Sequence, residues 1–175
     1  MGFGLQGTIQ AAIERLRREL ADRPFAAAAS ILTLALFVYS LVPFDFVMTT
    51  DALHASFGRA RWGFMSNLSQ MVGMTTLSPI AWQLISAGWF SVLGYLFAMA
   101  GRERGRNPVF SLASALLDGL ILVVLVEFMQ PFIRSHTFDA SLLMLRSLGL
   151  ILGAWYAVFM MMDTTSRAPQ PTDRS

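Results

Sequence analysis

The sequence contains no cysteine, no lysine and only two histidines, His54 and His136. The missing thiols exclude disulfides, a thiolate nucleophile, iron–sulfur ligation and a cysteine-type zinc site. Two distant histidines are too few to found a protein-only metal centre, so no cofactor ligand set is expected. All 13 basic residues are arginine, and against 11 acidic residues they leave a net charge of +2. They form no basic stripe with interleaved aromatics, which excludes a nucleic-acid footprint. Charge is scarce altogether: 14% of residues are charged while 55% are hydrophobic, and the mean hydropathy is +0.55. That is too little polar surface to coat a water-exposed domain of 175 residues, and it indicates a membrane protein.

Long apolar runs take the place of charge. A hydrocarbon core of roughly 30 Å needs about 20 apolar residues per helix, and four runs qualify. The first, Phe25 to Val42, is bracketed by Pro24 and Pro43. The second runs from Ile80 to Ala100, the third from Pro108 to Gln130 before Pro131, and the fourth from Leu142 to Met162. The expected architecture is an all-α, four-helix transmembrane bundle in one membrane domain, 25–162. Ahead of it, 1–24 form an amphipathic helix: Leu5, Ile9, Ile13, Leu16 and Leu20 recur at helical spacing with Glu14, Arg15, Arg17, Arg18 and Glu19 between them. A charged helix before the apolar run is the wrong order for a cleaved signal peptide. It suits an interfacial helix lying on lipid headgroups, or one docking on another membrane protein. A polar tail, 163–175, is expected to be flexible.

Arginine placement sets the orientation. Nine arginines lie in the N-terminal segment, the Arg102–Arg104–Arg106 loop and the tail, against Arg59, Arg61 and Arg134 on the other side. Both termini should therefore face the cytoplasm of a bacterial inner membrane. The first outer loop, Pro43 to about Pro79, is expected to be partly helical. Within it Phe64, Leu68, Met71 and Val72 have helical spacing beside Trp62, a pattern for a short interfacial or re-entrant helix.

Ionisable groups inside apolar spans are costly unless paired or hydrated. Glu127, Gln130 and Arg134 share one stripe of the third helix. Arg146 shares a stripe with Gly149 and Gly153, a small-residue face on which another helix can pack closely. Glu127 and Arg146 lie at similar depths counted from the outer helix ends, so an interhelical ion pair is expected, as a structural clamp rather than catalytic machinery. Asp118, near the middle of the third span, lies about 180° around the helix from Glu127. It is a protonatable group that either contacts a ligand, carries a proton, or hydrogen-bonds a neighbouring helix. His136 with Ser135, Asp139 and Ser141 comes without a nucleophile elbow or oxyanion-hole signature, so no enzyme is expected. Met160, Met161 and Met162 suit lipid contact or packing better than a metal pathway.

Two stretches resemble the VanZ-like family of bacterial membrane proteins. One is Leu41-Val42-Pro43-Phe44-Asp45-Phe46. The other is Glu127-x-x-Gln130, Arg134, Phe138-Asp139, then Gly149 and Gly153. The resemblance covers most of 40–160. It implies a polar site near the outer headgroups made by Asp45, Glu127, Gln130, Arg134 and Asp139, and a role on lipid-linked or lipoglycopeptide ligands. The family commonly carries an Asp and an Asn where this chain has Leu142 and Arg146, and only Asn67 and Pro79 answer its Asn-containing Phe-x-Pro-x-Gly segment. The family's ligand site would therefore be altered here.

Three functions follow. The first is a non-catalytic VanZ-like protein with a binding or scaffolding role at the cell envelope. The second is an accessory subunit of a larger membrane assembly, such as a photosynthetic or respiratory one, drawing on 14 Phe and four Trp for helix contacts. The third, a small proton-coupled transporter, would need Asp118 to line a water-filled cavity. The expected partners are membrane lipids and other integral membrane proteins.

Overall fold

The computed structural model describes residues 3–47, 49–59, 78–133 and 138–166. It is an all-α protein with four helices long and apolar enough to cross a membrane. Six α-helices are described: α1 (Phe3–Asp22), α2 (Pro24–Leu41), α3 (Thr50–Gly58), α4 (Ser78–Glu103), α5 (Pro108–Met129) and α6 (Ala140–Ser166). A 3₁₀ turn, Gln130–Phe132, follows α5. The four spanning helices are α2, α4, α5 and α6.

Their ends are set by local chemistry. Pro108 occupies the first turn of α5, where a missing N–H costs nothing, and Asn107 Oδ1 accepts from the Phe110 N–H at 2.8 Å. Thr49 caps α3. Pro24 opens α2, but its capping acceptor comes from a distant helix. Glu103, at the end of α4, accepts the Phe25 and Ala26 N–H groups with its two carboxylate oxygens, each at 3.0 Å. The α4–α5 turn closes at Gly105, whose φ of 73° a side chain would disfavour.

The extensive packing between α4 and α6 organises the bundle. A Cβ on Gly149 would collide with the Ala87 carbonyl and one on Gly153 with the Ser91 carbonyl, so the two backbones touch where the small residues lie. Gly94 makes the reciprocal approach, against the Leu150 carbonyl. Between helices in lipid, such close approach is a main source of cohesion, because apolar burial supplies little. Around this seam lie two apolar clusters. One joins Phe90, Leu93, Leu122, Val123 and Val126, with Leu32 and Leu36 of α2 against it; the other is centred on Ala98, Ala115, Ala154, Ala157 and Met161.

The connection between α2 and α4 is partly helical, through α3, and Phe57 of α3 meets Phe132 edge to face at 6.1 Å. The helix expected around Phe64 to Val72, with Trp62, lies outside the described residues, as do Asn67, Arg134, Ser135 and His136. The helix that carries the fourth span continues past the apolar run as far as Ser166. One expectation needs correction. The Glu127–Gln130–Arg134 stripe does not persist as α-helix, because Pro131 cannot supply an amide hydrogen and the chain tightens into the 3₁₀ turn at Gln130. Along α1, Ile13 and Leu20 are exposed.

Candidate functional site

The polar groups of the spans gather where α5 and α6 approach their shared turn. Glu127 is fully buried, two residues before the end of α5. Arg146 lies six residues into α6, roughly 9 Å along the axis, which brings it level with Glu127. Arg146 Nη1 donates to Glu127 Oε1 at 2.5 Å, Nε donates to Ser86 Oγ of α4 at 2.9 Å, and the guanidinium lies 5.5 Å from the centre of the Phe90 ring. One arginine thus ties three helices together. Glu127 Oε2 is buried with no hydrogen-bond partner among the described residues, and Asp139 lies close enough to act on Glu127 electrostatically.

Asp139 is itself buried and caps α6: its Oδ1 accepts from the Ser141 N–H at 2.8 Å and its carbonyl from the Leu143 N–H at 3.1 Å. Gln130 is buried in the 3₁₀ turn. Asp45 is half-buried in the segment leaving α2; the next residue, Phe46, forms an antiparallel bridge with Ile133, and the Val47 N–H donates to the Phe132 carbonyl at 2.8 Å. This contact draws the exit of α2 onto the α5–α6 turn.

Beside this cluster is a groove of about 790 Å³ between α2 and α4, open along one side. Leu32, Leu36 and Tyr39 form one wall, and Trp82, Ile85, Trp89 and Phe90 the other. Gln130, Asp139 and Arg146 line it with polar groups, together with Ser86 and Ser40. Tyr39, Trp82 and Trp89 are each at least half exposed and form its rim. An apolar slot with a few convergent polar groups is the shape of an amphiphile site. Leu142 and Arg146 both line it.

Of the residues singled out from sequence, the structure brings Glu127, Gln130, Asp139 and Arg146 together, with Asp45 on the adjoining segment. Asp118 stands apart. It is exposed on α5, makes no polar contact with any described residue, and does not line the groove. Ser86, Phe90 and the aromatic rim escaped the sequence reading. Trp82, Ser86, Trp89 and Phe90 do share one helical stripe, and that spacing was the available signal.

Four spanning helices and an intramembrane polar cluster define a multi-pass membrane protein of the helical class. Comparison with protein-family models, with curated proteins and with solved structures gives no match.

Proposed function

We propose that this chain is a non-catalytic, VanZ-like protein of the bacterial cytoplasmic membrane, with both termini inside, and that it binds a lipid-like amphiphile in the groove between α2 and α4. The observation that carries this reading is the groove's mixed lining: aromatic and aliphatic walls for a hydrocarbon chain, and Gln130, Asp139 and Arg146 as polar groups for a headgroup. The Arg146 charge is already answered by Glu127, so the headgroup is held by hydrogen bonding more than by charge. Leu142 and Arg146 would then make the ligand differ from that of other VanZ-like proteins.

The test is native mass spectrometry of the chain extracted with its surrounding lipid. A retained amphiphile is expected in the wild type and is lost in Ala35→Trp, which fills the groove from α2 without touching the polar cluster. Identical lipid retention by the two proteins overturns the reading. An accessory-subunit role is the second reading, favoured by the exposed Asp118 on a spanning helix.

A further inference from the structure

Asp118 is the eleventh of the 22 residues of α5, about 15 Å along the axis from either helix end. A short Asp side chain cannot reach the headgroups across that distance, as a long Arg or Lys near a helix end can. Around it Leu117, Ile121 and Leu125 are exposed, and Ser114, one turn away, spends its hydroxyl on the Ser111 carbonyl. The carboxyl group is therefore exposed at the middle of the span, with no side-chain partner among the described residues. Polar groups at such positions are expensive, and the usual remedy is a partner on another helix.

We propose that Asp118 is the anchor of a docking face on α5 for a transmembrane helix of another protein, one carrying a basic side chain at the bilayer midplane. The inference rests on the accessory-subunit reading and is independent of the groove. Charge complementarity selects this occupant over a second copy of the chain. The basic residue within the spanning helices away from their ends is Arg146, which is only 14% exposed and already bound to Glu127 and Ser86. A second copy would thus offer Asp118 no cation. Phe110, Leu117, Ile121 and Phe128, exposed along the same helix, supply the apolar contact on either side of the anchor.

The experiment places the purified full chain in phosphatidylcholine vesicles with a synthetic Leu/Ala helix of about 22 residues bearing one central Arg, and reads association by energy transfer. The central-Arg helix should bind at least tenfold more tightly than an all-apolar control. Asp118→Leu should abolish that preference while leaving thermal stability unchanged, and Asp118→Arg should transfer it to a helix with a central Asp. Equal binding of the two helices by the wild type overturns the proposal. Self-association that is lost in Asp118→Leu and not displaced by the central-Arg helix overturns it in favour of a second copy. Gentle extraction from the native membrane separates the two levels of the inference. A wild type that runs as a lone chain removes the accessory-subunit reading. A wild type in a large assembly that Asp118→Leu leaves intact removes only the role of Asp118.

Discussion

Arg146 and Glu127 meet by an ion pair that joins the third and fourth spans, with the carboxylate fully buried and the guanidinium nearly so. Its value lies in the cost of breaking it. Two charges withdrawn from water gain little net energy from each other, but one left alone in the interior is strongly destabilising.

Arg146→Ala should therefore lower stability by about 3–5 kcal/mol, because it strands Glu127. The double variant Arg146→Leu with Glu127→Leu should retain much more of the folded protein, since it removes both charges at similar volume. Thermal unfolding in detergent, followed by intrinsic fluorescence, compares them. Equal losses in the two variants would show that the charges are not coupled.

Glu103 closes the other end of the bundle by accepting the first free N–H groups of α2. Glu103→Ala leaves both donors unsatisfied and should cost about 1–2 kcal/mol, in the range of a lost helix cap. Glu103→Gln keeps one acceptor oxygen and should cost less. Faster amide exchange at Phe25 and Ala26 in the alanine variant is the local readout.

Two glycines give opposite expectations for one substitution. Gly153→Ala drives a methyl group into the Ser91 carbonyl, a backbone atom that cannot swing aside, and should cost about 1–3 kcal/mol through separation of α4 and α6. Gly88→Ala meets nothing within 4 Å on an exposed turn of α4 and should stabilise by about 0.5–1 kcal/mol through reduced backbone entropy. Melting temperatures of the pair test whether close backbone approach, and not helix propensity, governs this seam.

The cysteine-free sequence makes topology directly measurable. Single cysteines at exposed Arg104 and at exposed Thr50 lie at opposite ends of the first two spans. A membrane-impermeant thiol reagent added to intact cells should label Thr50→Cys, and should reach Arg104→Cys only after permeabilisation. The reverse pattern would invert the proposed orientation.

The spans were legible because the bilayer imposes a length and a composition on each one. The runs from Phe25 and from Pro108 begin within a residue of the observed α2 and α5. The fourth helix overran its apolar run because Asp163, Thr164 and Thr165 can continue a helix once it leaves hydrocarbon. Glu127 and Arg146 could be matched by counting turns from the helix ends, since an unpaired charge at that depth has few other solutions. No such count finds Ser86 or Phe90, which acquire a role only when α4 packs beside α6. Glu103 caps a helix more than 75 residues away in the chain, and no local pattern encodes that.

The sequence alone determined how many times the chain can cross hydrocarbon and which helix faces carry polar or small residues, because periodicity and solvent are local constraints. Only the tertiary structure decided which faces meet. Nothing local assigns the Gly149–Gly153 face to one helix over another, and it is taken by Ala87 and Ser91 of α4. The assembled helices leave a groove between α2 and α4 and leave Asp118 exposed on α5. Packing is a relation between surfaces distant in sequence, and shape complementarity resolves it only once all four helices are assembled.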